Sequence, residues 1–146
     1  MAPAQFSSID ELQSALRAHQ YVADRGLATA IYLALKLQRP LFLEGEAGVG
    51  KIEVANAMAQ LLDTELIRLQ CYEGLDLSQA VYEWTYTRQM MHIRLLEARG
   101  EHPVESELFG PQFLMRRPVL QAISPETPRE RAPVLLVDEI DRSDEE

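Results

Sequence analysis

The segment Gly45-Glu46-Ala47-Gly48-Val49-Gly50-Lys51 sets three glycines ahead of a lysine. A loop of this kind lets backbone N–H groups converge on an anion with no Cβ in the way. A helix that starts at its end adds the positive pole of its peptide dipoles. The Lys51 ammonium then reaches terminal phosphates. The spacing Gly-x-x-x-x-Gly-Lys between a strand and a helix is therefore read as a phosphate-binding P-loop. A glycine turn with an incidental lysine is the alternative, and the strand–loop–helix order weighs against it. The expected nucleotide-binding set is Gly45, Glu46, Ala47, Gly48, Val49, Gly50, Lys51, Ile52 and Glu53.

One position departs from the motif. Lys51 is normally followed by Ser or Thr, whose hydroxyl binds Mg²⁺. Ile52 has no oxygen to offer and is expected to weaken magnesium placement or to pack inward as a core residue. Phosphate cradling uses the backbone and Lys51 and is expected to survive. Further along, Val134-Leu135-Leu136-Val137 is an apolar run ending in Asp138-Glu139. A buried strand with this acidic end reads as a Walker B element, with Asp138 as the metal ligand and Glu139, beside Lys51, as a catalytic group that polarises the attacking water. The two motifs require strands whose C-terminal ends face one crevice. A solvated acidic tail is the competing reading for the chain end, and it is kept for Asp144-Glu145-Glu146.

The elements that must hold these groups follow from periodicity. Ser8-Ile9-Asp10-Glu11 is a capping box opening a helix with Leu12, Ala15 and Leu16 on one face. Leu27, Ala30, Ile31, Ala34 and Leu35 recur at three- and four-residue steps, and Pro40 stops that helix. Leu41-Phe42-Leu43-Glu44 reads as a short buried strand. Val54, Ala57, Met58 and Leu61 mark the helix after the loop. Glu65 to Cys71 alternates as a strand. Leu77 to Ala98 has helical steps at Tyr86, Met90, Ile93 and Glu97, with Gly100 at its end. Phe113 to Leu120 suits either a hairpin or two helical turns. Pro125 to Pro133 is a proline-rich loop. Val134 to Val137 is expected to be a central strand.

The chain has 146 residues, enough for one domain, and a net charge of −9. That charge repels nucleic-acid phosphate and anionic lipid, so neither nucleic acid nor membrane is an expected partner. No run reaches the apolar length of a membrane helix. The single cysteine, Cys71, fits a reducing, cytoplasmic setting. His19, His92 and His102 show no metal-ligand spacing. Tyr82, Trp84 and Tyr86 suggest an aromatic packing face, and Arg116-Arg117 a solvated pair.

The P-loop together with Leu135-Leu136-Val137-Asp138-Glu139-Ile140-Asp141-Arg142 resembles the MoxR family of AAA+ ATPases. Cys71-Tyr72-Glu73-Gly74-Leu75-Asp76 and Ala80-Val81-Tyr82-Glu83-Trp84 resemble the branch associated with maturation of carbon monoxide dehydrogenase and related molybdenum enzymes. The resemblance implies an α/β fold, a P-loop NTPase (AAA+) three-layer core with a central parallel sheet flanked by helices. It implies ATP and Mg²⁺ as cofactors, ring assembly of like subunits, and a chaperone-like role toward a client metalloenzyme. It places Tyr21-Val22-Ala23-Asp24 near the adenine, which adds Val22 and Ala23 to the nucleotide-binding set, and it makes Phe109 to Ile123 part of an insertion.

On this reading residues 1–146 form a partial nucleotide-binding domain. It has a helical lead at 8–39, the P-loop unit at 41–62 and the Walker B strand at 134–138. Ile52 stands where the family has Thr. The family's sensor strand, arginine finger and helical lid would follow Glu146, so the chain reads as an N-terminal part truncated after the Walker B strand. The expected function is ATP binding and, in the full-length form, hydrolysis. The alternative is a degenerate module that binds nucleotide without hydrolysing it. A small kinase ranks lower, because no acceptor site is evident.

Overall fold

The computed structural model describes residues 6–46, 48, 50–124 and 131–143. Ala47, Val49, the segment 125–130 of the proline-rich loop and the acidic residues 144–146 lie outside the described residues. The chain divides into two compact units, the first from residues 1–68 and 125–138, the second from 69–124 and 139–146.

In the first unit, α1 (Ile9–Ala18) opens as its sequence dictates: the Ser8 hydroxyl accepts the Glu11 N–H at 3.1 Å. Glu11 reaches back one residue further than a standard capping box, taking the Ser7 N–H at 2.7 Å and the Ser7 hydroxyl at 2.5 Å. α2 (Arg25–Leu37) is capped by Asp24, whose Oδ1 accepts the Leu27 N–H at 2.7 Å. It closes through Gln38 in the left-handed region, two residues before Pro40. α3 (Lys51–Leu61) follows the glycine loop.

These helices meet over Leu12, Leu16, Ala23, Ala28, Ile31, Val54, Ala57 and Met58. Leu12, Leu16 and Ile31 have no more than 1% of their surface exposed. Each such side chain contributes about 1.5–3 kcal/mol on burial.

Leu41–Glu44 differs from expectation. Leu41 and Leu43 pack on the core while Phe42 and Glu44 are exposed, so the alternation of a strand is present. The segment nevertheless joins no ladder among the described residues. A strand is defined by its neighbour, and side-chain alternation alone does not supply one.

β4 (Val134–Asp138) lies beside β1 (Leu66–Gln70). Their starts are tied together: the Val134 N–H donates to the Glu65 carbonyl at 3.0 Å and Thr64 Oγ1 to the Ala132 carbonyl at 3.0 Å. Both strands begin at one end and run the same way, giving a parallel sheet. β4 is half-buried rather than fully enclosed, and Val137 is exposed, because β1 is its one neighbour among the described residues.

The second unit holds α4 (Leu77–Ala80), β2 (Tyr82–Trp84), α5 (Tyr86–Ala98), α6 (Glu105–Leu108), β3 (Leu114–Arg116) and α7 (Pro118–Ile123). The helix expected across Leu77 to Ala98 is therefore interrupted. Val81, Tyr82, Trp84 and Thr85 are residues that favour a pleated surface. They form β2, which pairs antiparallel with β3 in the register Tyr82↔Arg116, Glu83↔Met115, Trp84↔Leu114.

The uncertain Phe113–Leu120 stretch becomes a hairpin strand followed by a helix, with Pro118 at the first turn, where its missing N–H costs nothing. On α5 the buried side chain is Gln89, which donates to the Leu108 carbonyl at 2.6 Å. Tyr86, expected on an aromatic packing face, is exposed, as is Met90 at its helical step. Trp84 packs edge-on against Phe109 at 5.3 Å between ring centroids. Arg117 is no solvated residue: its Nε donates to the Ser78 carbonyl at 3.2 Å and its guanidinium pairs with Glu83.

Candidate functional site: the glycine loop and the acidic strand end

Lys51 is the first residue of α3, and Gly50 caps that helix with φ of 85° and no side-chain hydrogen bond. Gly48 has φ of 82°. Both conformations suit glycine and strain any other residue. Among the described residues, a Cβ built on either glycine would meet nothing within 4 Å. The Lys51 ammonium folds back over it, donating to the carbonyl oxygens of Gly45 at 2.5 Å and Glu46 at 2.7 Å. The ammonium is thus held by the carbonyls of the first two residues of the motif. With the first N–H groups of an 11-residue helix beside it, the arrangement fits a phosphate.

Ile52 does not pack inward; 38% of its surface is exposed. The first turn of α3 is close to the loop, and inward positions begin at Val54. Glu53 is exposed and accepts from Asn56 Nδ2 at 3.2 Å.

The acidic strand end comes to the same end of the unit as Lys51. Arg131 Nη1 donates to the Leu62 carbonyl at 2.7 Å, which joins the C-terminus of α3 to the approach of β4. α3 packs along β4. The helix has 11 residues and rises about 16 Å. The strand has 5 residues and spans about 16 Å. Running antiparallel, they bring Lys51 and Asp138 to one end. α3 packed on β4 thus forms one wall of the expected crevice, while Leu41–Glu44 pairs with no strand among the described residues.

Asp138 is mostly buried and pairs with Arg68 of β1, Oδ2 to Nη2, at 2.5 Å. In the second unit, Glu139 has φ of 54° and accepts from Gln70 Nε2 at 2.9 Å and from Arg142 Nε at 3.3 Å. The fit is therefore unequal. The loop suits phosphate, whereas Mg²⁺ would have Asp138 already engaged by a guanidinium and no oxygen from Ile52.

The expected adenine contacts separate. Val22 is 76% exposed, but Ala23 is 1% exposed and its methyl belongs to the core. Ala23 can offer only backbone, and its carbonyl already accepts from Gln13 Nε2 at 2.8 Å. Tyr21 instead lines an open cleft of about 440 Å³ together with His19, Glu53, Asn56 and Gln60. Burial, then the charges of Asp24 and Glu53, push the Tyr21 hydroxyl above its ordinary pKa. Tyr21 and Arg68 in the first unit, and Gln70 beside Glu139 in the second, are residues that motif spacing did not single out. Among the described residues no group of His, Cys, Asp and Glu is arranged to hold a metal.

Residues 40–146 match the AAA domain (dynein-related subfamily). The chain belongs to this family. As an AAA domain it has the P-loop NTPase fold, and nucleotide binding is general to that family. It is also similar to Midasin of Giardia intestinalis, with 43% identity over 51 residues, which is 35% of this chain and 1% of that protein. The chain thus spans about 1% of the length of the curated relative it matches. No solved structure matches it significantly. No described helix is long and apolar enough to cross a membrane.

Proposed function

We propose that this AAA domain binds ATP and ADP through Gly45 to Lys51, and that the longer form of the protein hydrolyses ATP. The observation that carries the reading is Lys51, seated over the loop between the Gly45 and Glu46 carbonyls at the N-terminus of α3. Arriving phosphate offers that ammonium a fully charged partner in place of two neutral carbonyls. Glu139 is the group to polarise water, and Asp138 the group to hold Mg²⁺ for the reaction.

The finer assignment is to a MoxR-type chaperone of the metal-centre maturation branch, on the strength of the Cys71–Trp84 stretch. In that setting the protein acts in the cytoplasm as a ring of like subunits on a client metalloenzyme. Residues 1–146 then form a partial nucleotide-binding domain, with 8–39 as its helical lead.

Titration with a fluorescent ATP analogue tests the binding step. Wild type binds, and Lys51→Ala weakens the affinity at least tenfold; equal affinities would sink the reading. A binding module without hydrolysis is the second reading. Ile52, which faces solvent with no hydroxyl, favours it. Restored turnover in Ile52→Thr would decide for a lapsed ATPase.

A further inference from the structure

Asp138 and Arg68 sit on neighbouring parallel strands, and their side chains meet beyond the shared start of the ladder. Asp138 has 16% of its side chain exposed and Arg68 has 49%. The carboxylate is therefore largely withdrawn from water while the guanidinium bridges from it to solvent. A carboxylate in this position needs a positive partner. In a nucleotide site of this family that partner would be a divalent cation. In this chain a fixed cation already stands at Oδ2, 2.5 Å away.

We propose that Arg68 acts as a built-in counter-ion for Asp138, competing with divalent metal, so that the chain holds nucleotide with little dependence on Mg²⁺. The inference rests on the nucleotide-binding reading above.

Two departures point the same way. Ile52 removes the hydroxyl that would hold the metal from the loop side. Arg68 occupies the carboxylate that would hold it from the strand side. A metal at Asp138 must either displace the guanidinium or sit beside it, and two positive groups at that separation repel. Meanwhile the phosphate contacts, Lys51 and the loop backbone, involve neither residue. The affinity for phosphate and the affinity for metal are thus carried by separate parts of the site, and only the second is obstructed. Arg68 is a positioning residue, acting through Asp138.

The test uses the whole chain with two probes. The first is a fluorescent ATP analogue titrated in EDTA and in millimolar Mg²⁺. Wild-type affinity should agree within twofold between the two conditions, and Arg68→Gln should tighten about tenfold on adding Mg²⁺, since a single charge at 4–6 Å shifts such equilibria by at least that factor. Arg68→Lys, which keeps the charge, should behave as wild type.

The second probe is Mn²⁺ without nucleotide, followed by electron paramagnetic resonance. Arg68→Gln should bind Mn²⁺ about tenfold more tightly than wild type, and adding Asp138→Asn should abolish the gain. A wild type that tightens tenfold with Mg²⁺, or an Arg68→Gln protein indistinguishable from wild type with both probes, overturns the proposal. If no protein binds the analogue, nucleotide binding itself fails, and the Mn²⁺ series still decides the role of Arg68. Should Arg68→Gln not fold, the wild-type titration decides: agreement within twofold between EDTA and Mg²⁺ supports the competition, and a tenfold tightening with Mg²⁺ overturns it.

Discussion

The Arg117 guanidinium meets the Glu83 carboxylate at 2.5 Å, joining the residue just after β3 to the middle of β2. Arg117 also donates through Nε to the Ser78 carbonyl, and its own N–H donates to the Val81 carbonyl at 3.0 Å. One side chain therefore ties α4, β2 and the start of α7. Three-residue strands cannot hold themselves, and a two-stranded hairpin is marginal alone.

Arg117→Met should consequently destabilise the second unit. Both partners are more than a third exposed, so screening limits the ion pair, and the loss should be about 1–2 kcal/mol. Trp84 is the chain's one tryptophan and stands in β2. Its fluorescence during urea unfolding reads the effect, and an unchanged midpoint would count against this role.

Leu16→Ala tests the first unit. Leu16 is fully buried among residues of α1, α2 and α3. Truncation leaves a cavity that neighbouring helices can fill only in part. The expected cost is about 2–5 kcal/mol, a large share of the stability of a small domain. Hydrogen exchange of the α2 amides should accelerate accordingly; a loss under 1 kcal/mol, about the cost of a single methylene, would mean the site collapses freely.

Gly50→Ala separates backbone strain from charge. With φ of 85° a methyl is strained by about 1–2 kcal/mol although nothing stands within 4 Å of it. The methyl would also stand beside the backbone N–H groups proposed to meet phosphate. Nucleotide affinity should fall at least tenfold with α3 still formed. Circular dichroism alongside the analogue titration distinguishes this from unfolding, and retained affinity would show that the loop does not need this conformation.

How much of this was legible in the sequence depended on how local its cause was. The Ser8 cap, the apolar stripe of α2 and the P-loop–α3 unit are each set within a few residues, and they stand where periodicity and capping put them. β1 and β4 are nearly as local, being apolar runs of the right length. β2 and β3 are not. Their pairing joins Tyr82 to Arg116, and nothing within either triplet announces the other. Leu41–Glu44 shows the converse: a local strand pattern with no ladder among the described residues. In the site, the loop was readable because its spacing is itself the chemistry. Arg68 and Gln70 were not, since in sequence they are merely the polar positions of an alternating strand. Their partners, Asp138 and Glu139, lie 70 and 69 residues away.

The last expectation concerns pH. The Ser7 hydroxyl, then the Ser7 and Ser8 backbone N–H groups, hold the Glu11 carboxyl below its ordinary value of 4.5, with Lys36 adding a smaller pull. These donors stabilise the charged form, and they are assembled only when α1 is folded. A group depressed in this way contributes stability that is complete above its unfolded value, near 4.5, and is lost as pH falls through the lower folded value. Acidification below about pH 4.5 should therefore fray the first turn of α1, whereas changes near neutral pH should leave it intact. Ser7→Ala removes the hydroxyl but leaves the backbone N–H donors. A carbon-detected titration of the Glu11 carboxyl should then show its pKa rising toward 4.5 without reaching it. An unchanged value in Ser7→Ala would assign the depression to the helix N-terminus and to Lys36 instead.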